Sequence, residues 1–203
     1  DAGYLYTGYI SNLRAVKGTA VYTSNFTPST QPLTAIAGTQ LLTCQAPRIV
    51  DNSPNAYTIT KNGDVNTQKF SPFATVTQTP NTHSVYFDGT GDALTFTGSP
   101  GTTLSGNFTI EAWVHLNSVS INQPIICIGD DLSDPGVLFF INTTAKLGIA
   151  YANTTAFAGT GTVTANTWAH VAFVRSGTTI TAYLNGVSQG TLTTSNTFSG
   201  TTS

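Results

Sequence analysis

The densest group of side chains able to do chemistry lies in the segment IGDDLSDPGV, which holds Asp130, Asp131 and Asp134. Carboxylate oxygens on one loop are ligands that Ca²⁺ prefers. Their spacing is not that of an EF-hand, and Pro135-Gly136 closes the segment as a turn. Two interpretations therefore stand: a calcium site formed by the three aspartates, or a solvated turn. We expect no other cofactor.

Glu111 is the only glutamate of the chain. Glycoside hydrolysis requires two carboxyl groups flanking the bond that is cleaved, and the segment TIEAW offers no acidic partner two or four residues further on. The histidines His83, His115 and His170 lie on separate segments, without a recognisable Ser-His-Asp or Cys-His set. We therefore predict a structural role for Glu111, a packed or half-exposed His170, and no catalytic residue.

A sugar site would require exposed aromatic rings beside polar groups. The candidates are Tyr151, Phe157 and Trp168. The two cysteines, Cys44 and Cys127, each lie in an apolar run and are expected to be buried thiols, since their spacing supports neither a disulfide nor a metal site.

Charge is sparse in this chain: 8% of its 203 residues are Asp, Glu, Lys or Arg, and the formal net charge is −2. The seven cations form no cluster, which argues against nucleic acid as a partner. No apolar run approaches the roughly 18 residues of a membrane span. The 38 threonines suit half-exposed strands. We expect an almost purely β protein located outside a cell or on a virion surface.

Short strand-like runs alternate with turn signals along the whole chain, a pattern typical of a sandwich or barrel. The clearest strand is NFTIEAWVHL, in which period 2 separates an apolar face from Thr109, Glu111, Trp113 and His115. Asn185-Gly186 is a strong hairpin signal. The side chains expected between two sheets are Phe87, Leu94, Phe108, Ile110, Val114, Val171, Phe173, Ile180 and Leu184.

Three segments together resemble a known family: VYFDGTGDALTF, NFTIEAWVHL and NTWAHVAFVRSGTTITAYLNGVSQG. They are similar to the laminin-G-like jelly roll of the concanavalin A-like lectin/glucanase superfamily, over about residues 40–200. The resemblance implies an all-β fold, a two-sheet antiparallel jelly-roll sandwich. It implies no single function, because this fold includes lectins, glucanases, adhesion modules and spacers. It also strengthens the calcium interpretation, since laminin-G-like domains often hold this ion on such a loop.

The opening segment resembles the end of such a domain. GYISNLR matches the family's last strand, and the segments around it resemble those that join tandem domains in bacteriophage structural and tail proteins. We therefore divide the chain into residues 1–39, a strand and its connector, and residues 40–203, the sandwich. The strand supplies the sandwich's last strand either in its own chain or in a neighbouring copy, as in donor-strand complementation.

The long connector carries Pro28 and Pro32, which stiffen it and suit a span between domains. This favours pairing of the strand with a neighbouring copy, and repeated head-to-tail contacts of this kind form a filament. The contacts of Tyr9, Ile10, Leu13 and Val16 distinguish the two arrangements. The first functional hypothesis is thus a non-catalytic structural or interaction module whose partners are copies of itself. The alternative is a carbohydrate-recognition module that binds surface glycans.

Overall fold

The computed structural model describes residues 5–73, 81–97, 103–129, 136–152 and 154–199. Within these ranges the chain forms sixteen strands, and no helix there is long and apolar enough to cross a membrane. The strands are β1 Thr7–Lys17, β2 Thr39–Thr43, β3 Thr58–Asn62, β4 Asn66–Gln68, β5 Ser84–Asp88, β6 Ala93–Thr97, β7 Thr103–Leu104, β8 Phe108–Leu116, β9 Gln123–Ile128, β10 Val137–Ile141, β11 Leu147–Tyr151, β12 Thr154–Ala158, β13 Ala169–Ser176, β14 Thr179–Leu184, β15 Val187–Thr193 and β16 Phe198–Ser199.

The strands form two main antiparallel sheets. The large sheet has the order β15-β14-β13-β8-β1-β5-β4, and β2 pairs with the second half of β1. The small sheet has the order β12-β11-β10-β9. Two short pairs, β7 with β16 and β3 with β6, complete the arrangement. The predicted all-β jelly-roll sandwich is confirmed.

The core lies between the two sheets, where alternate residues of each strand meet. Phe139 of the small sheet packs against two phenylalanines of the large one, with ring centroids 6.0 Å from Phe108 and 4.9 Å from Phe173. Of the nine predicted core residues, seven are buried, whereas Leu94 and Leu184 are partly buried and pack against the core from its margin. The predicted register is therefore correct.

The first strand lies in the middle of its own large sheet. β1 pairs with β8 on one side and with β5 and β2 on the other. Ile10 and Leu13 belong to the core cluster, and Val16 is buried as well. The expectation that this strand completes a neighbouring copy is corrected, because the backbone groups of β1 are paired with its own chain.

A bulge in β1 decides which of its side chains face the core. Ser11 pairs with Trp113 and Arg14 with Glu111, so the two residues between them on β1 lie opposite one residue of β8. Asn12 takes the extra place with a φ of 54°, in the left-handed region that asparagine tolerates better than most residues. The bulge turns Leu13 into the core and Arg14 to the opposite, outer face of the sheet.

The connector after β1 is packed on the domain and does not extend away from it. Residues 19–34, which we call the strap, lie across the outer face of the large sheet. The Phe26 amide donates to the Gly186 carbonyl at 2.9 Å, and the Leu33 amide donates to Asn12 Oδ1 at 2.8 Å. Gly186 has a φ of 77°, and a Cβ there would collide with the Phe26 carbonyl. The expected boundary near residue 39 therefore does not separate the first segment from the sandwich.

Replacing Phe108 by alanine tests the core. Its ring is fully buried against Phe139, so we expect Phe108→Ala to lower the free energy of unfolding by about 3–5 kcal/mol in urea denaturation. The control is Val187→Ala, whose side chain is 53% exposed and whose loss should change stability by less than about 0.5 kcal/mol. Equal effects of the two substitutions would contradict the assigned core.

Candidate functional site: an aromatic cluster on the outer face

The outer face of the large sheet gathers aromatic side chains by strand register. Tyr9 of β1 lies directly opposite Tyr86 of β5 on one side and His115 of β8 on the other. Trp168 immediately precedes β13, whose first residue pairs with Val114, so its indole lies beside His115. Phe70 reaches the same place from the segment that follows β4.

These five residues, Tyr9, Phe70, Tyr86, His115 and Trp168, form what we call the aromatic cluster. The Phe70 ring lies at its centre, with centroid distances of 4.9 Å to Tyr9, 4.9 Å to His115 and 5.3 Å to Trp168. Most pairs are edge-on or tilted, the orientations that aromatic rings favour. Phe70 remains 45% exposed, so the cluster presents a large apolar ring to solvent.

The cluster contains polar atoms without partners. Within the described residues, Nδ1 of His115 and Nε1 of Trp168 are buried and make no hydrogen bond. Burial lowers the pKa of His115 below its ordinary value of 6.5, although hydrogen bonds with the backbone of His115 and Asn166 oppose this shift. No member of the cluster carries a full charge at neutral pH, so its chemistry is that of ring stacking and neutral hydrogen bonding.

The structure separates the three residues predicted to bind sugar. Trp168 belongs to the aromatic cluster, but Tyr151 and Phe157 lie on the small sheet and pack against the core. The Tyr151 ring lies 5.5 Å from that of Phe198, and Phe157 pairs with Ile149. The three candidates therefore do not lie together, and sugar binding by any one of them stays a prediction. Phe70 was missed because it follows a short polar strand, and nothing in the local sequence indicates that its ring packs on the outer face of the large sheet.

Glu111 and its three hydrogen-bond partners, Arg14, Tyr22 and His170, lie on the same outer face, and we call these four residues the Glu111 group. Oε1 of Glu111 accepts hydrogen bonds from Nε and Nη2 of Arg14, the former at 3.0 Å. Its Oε2 accepts from the Tyr22 hydroxyl at 2.7 Å and contacts Nε2 of His170 at 3.1 Å. Because an ionised carboxylate only accepts, we assign the proton to Nε2 of His170.

The electrostatics of Glu111 fit a structural role. Burial raises its pKa, but the hydrogen bond with His170, the charge of Arg14 and the hydrogen bond from Tyr22 outweigh burial and hold the pKa below 4.5. The hydroxyl of Tyr22 has its pKa raised by burial and by the charge of Glu111. Among the described residues that contact Glu111 there is no second carboxylic acid, as glycoside hydrolysis would need.

Three aspartates meet at one rim of the sandwich. One oxygen each of Asp64, Asp88 and Asp92 lies within 4.8 Å of the others, an arrangement able to hold a cation. Both oxygens of Asp92 accept backbone hydrogen bonds, from Asp64 at 3.0 Å and from Asp88 at 2.8 Å. These bonds tie two turns together and account for the cluster without an ion. The calcium residues predicted from sequence, Asp130, Asp131 and Asp134, lie outside the described residues.

The two cysteines differ in exposure. Cys44 is buried, and burial raises the pKa of its thiol to about 12, as expected for an unreactive core thiol. Cys127 is exposed on β9, so the expectation that both thiols are buried is wrong for this residue.

A family model for the concanavalin A-like lectin/glucanase superfamily, of the laminin G type, matches residues 88–203, which is more than half of the chain. The chain belongs to this superfamily. No curated protein and no solved structure gives a significant match to it. The match supports the laminin-G-like jelly roll, while the likeness to tandem bacteriophage domains stays a prediction. Since the match begins at residue 88, Tyr9, Phe70 and Tyr86 of the aromatic cluster lie outside the matched range.

The lowered pKa values of His115 and His83 predict how the stability of this laminin-G-like domain depends on pH. His115 and His83 both have pKa values lowered by burial, and at His83 the charge of Lys69 adds to the effect. The unfolded chain therefore binds more protons, and stability should fall as the pH drops below about 6.5. Urea denaturation from pH 8 to pH 5.5 measures how the free energy of unfolding changes with pH. Glu111 does not titrate in this range, because its pKa lies below 4.5.

The matched variant is His115→Phe, which keeps a ring in the cluster but cannot bind a proton. We expect a shallower decline in the free energy of unfolding between pH 8 and pH 5.5 than in the unmodified chain. A slope equal to that of the unmodified chain would show that His115 does not contribute.

Proposed function

We propose that this laminin-G-like domain is a non-catalytic interaction module that acts outside the cell or on a virion surface, with the aromatic cluster as its contact surface. The observation that carries the proposal is the position of Phe70, which contacts three rings of the cluster and is nevertheless 45% exposed. Large exposed rings surrounded by packed residues are typical of binding surfaces.

The role assigned to Glu111 supports a non-catalytic module. Its two oxygens are occupied by Arg14, Tyr22 and His170 beneath the strap. Glu111 is itself 1% exposed, so a substrate in solvent does not reach it. In a chain with a single glutamate, this removes the residue most suited to the acid–base work of the glucanases in the superfamily.

The first candidate partner is a copy of the same module, in a filament, a virion appendage or a surface layer. Sparse charge supports this candidate, because nearby copies with a formal net charge of −2 repel one another weakly. It also agrees with the resemblance to tandem domains of bacteriophage structural and tail proteins. With β1 paired in its own sheet, the contact between copies is a surface contact through the aromatic cluster.

The assembly proposal predicts that self-association depends on Phe70. We expect light scattering with size-exclusion chromatography, and electron microscopy, to show multimers that Phe70→Ala shifts towards monomers. Val187→Ala removes another exposed apolar side chain and serves as the matched control, with multimers retained. A monomer at all concentrations would reject copies as partners, and multimers unaffected by Phe70→Ala would reject the cluster as the contact.

A surface glycan is the second candidate partner, and a specific observation favours it. The Phe70 ring is 45% exposed, and the partly exposed ring of Trp168 lies beside it at 5.3 Å. A sugar ring stacks on exposed aromatic faces of this kind. The neutral character of the cluster points to an uncharged saccharide.

A glycan array tests this candidate with three variants. We expect binding to one class of neutral saccharide that Phe70→Ala abolishes. Trp168→Ala, which removes the ring that borders Phe70, should weaken binding by about tenfold. Phe157→Ala removes an aromatic ring outside the cluster and should leave binding unchanged. Absence of glycan binding, or binding equally sensitive to Phe157→Ala, would reject a sugar site at the cluster.

A further inference from the structure

Hydrogen bonds along its length attach the strap, residues 19–34, to the large sheet, including those that the Thr19 carbonyl accepts from Thr109 Oγ1 and Asn25 Oδ1 accepts from the Ser188 amide. The Val21 amide donates to Thr109 Oγ1 at 2.8 Å, and the Phe26 amide donates to the Gly186 carbonyl at 2.9 Å. Nearer β2, the Leu33 amide donates to Asn12 Oδ1 at 2.8 Å. Between these points most of the strap is exposed.

Little apolar surface holds the strap in place. Leu33 is its only buried side chain, while Tyr22 and Phe26 are half-buried. Those two rings stack on each other at 3.6 Å, and Phe26 also meets Tyr183 at 5.3 Å. Segments with few buried apolar contacts open locally at lower free energy than the core strands beneath them.

Glu111 links the strap to two strands. Its carboxylate accepts from Tyr22 of the strap and from Arg14 of β1, and it contacts His170 of β13. Nη1 of Arg14 in turn donates to the Thr34 carbonyl at 2.8 Å, at the far end of the strap. Among the described residues, Arg14, His170 and Tyr22 are the titratable or charged groups that face this carboxylate.

Neutralising Glu111 leaves a net positive charge among these buried side chains. The ionised carboxylate offsets the buried guanidinium of Arg14. Without that negative charge, Arg14 is a buried cation with no counter-charge among the described residues that contact it. Burying an unpaired charge is unfavourable, whereas opening the strap lets water solvate it.

The closed strap also covers a polar atom of His170 that has no partner among the described residues. Nδ1 of His170 and Nε1 of Trp113 are buried without a hydrogen-bond partner in the described part of the chain. Their rings meet edge-on with centroids 5.3 Å apart, and the Phe26 ring lies 5.7 Å from that of His170. Contact with water would relieve this cost for His170, which adds to the tendency of the strap to open.

We propose that the strap is a cover held closed by the negative charge of Glu111, and that it opens as a unit, before the sandwich unfolds, when that charge is lost. Opening exposes His170 and Tyr183 on the outer face of the large sheet, next to the part that carries the aromatic cluster. The module thus has a second aromatic surface that is hidden at neutral pH and presented in acid.

The pKa of Glu111 determines whether the strap opens in acid or in base. Burial raises the pKa of Glu111, but its hydrogen bond with His170 and the charge of Arg14 outweigh burial and bring the pKa below 4.5. A group whose pKa is lowered by folding contributes stability that is complete at neutral pH and is lost as the pH falls through the folded value. The strap should therefore be closed at pH 7 and open in acid, below pH 4.5.

Amide hydrogen exchange measured by NMR from pH 7 to pH 3 tests the proposal. The reporters are the strap amides of Val21, Phe26 and Leu33, and the references are amides of β13. At the acid end of the series we expect the protection factors of the strap to fall by about tenfold or more, while β13 keeps its protection. In Glu111→Gln the same loss should be present already at pH 7.

The matched control is Asp51→Asn, which neutralises another buried carboxylate that bonds the amides of Leu42 and Tyr57 and makes no contact with the strap. It should leave strap protection at pH 7 unchanged. The proposal is overturned if strap and β13 lose protection together, if the strap stays protected at pH 3 or in Glu111→Gln, or if Asp51→Asn opens it equally. Should Glu111→Gln fail to fold, the pH series of the unmodified chain decides alone.

Discussion

The pairing of β1 with β8 in the middle of the large sheet is the interaction on which the rest of the structure depends. It joins the start of the chain to a strand about a hundred residues later, and without it the sheet would divide between β8 and β5. Gly8 allows the close approach, since a Cβ there would collide with the His115 carbonyl. The same pairing sets Tyr9 opposite His115 and Arg14 opposite Glu111, so both polar-aromatic regions of the outer face derive from one register.

The bulge at Asn12 allows Tyr9 and Arg14 to lie on the same face of the sheet. In a regular strand, residues 9 and 14 point to opposite faces because side chains alternate with period 2. The extra residue restores Arg14 to the face that carries Tyr9, while Leu13 turns to the core. The aromatic cluster and the Glu111 group thus lie on the same side of one sheet. A bulge near a functional surface is a common means of redirecting a side chain.

Sequence reasoning predicted the inner face well because that face follows from local alternation. Phe108, Ile110 and Val114 were assigned to the core from period 2 alone, and all three are buried there. The outer face depended on features with no local signal: the bulge, the pairing of distant strands, and segments that return to cover the sheet. The two prolines of the connector suggested a spacer, yet the anchors of the strap are Tyr22, Phe26 and Leu33, whose partners only the folded sheet brings together.

Two segments cover the outer face, and they do so by different physical means. Phe70 covers its part through ring contacts that involve no full charge, so those contacts vary little with salt. The strap covers its part through a carboxylate shared by three partners, and such a buried group holds only while its charges balance. The exposed Phe70 ring suits a surface that is always available for contact. The strap suits a surface that becomes available only when Glu111 loses its charge. A rigid sandwich with sparse surface charge can carry both, because neither changes the packing between its sheets.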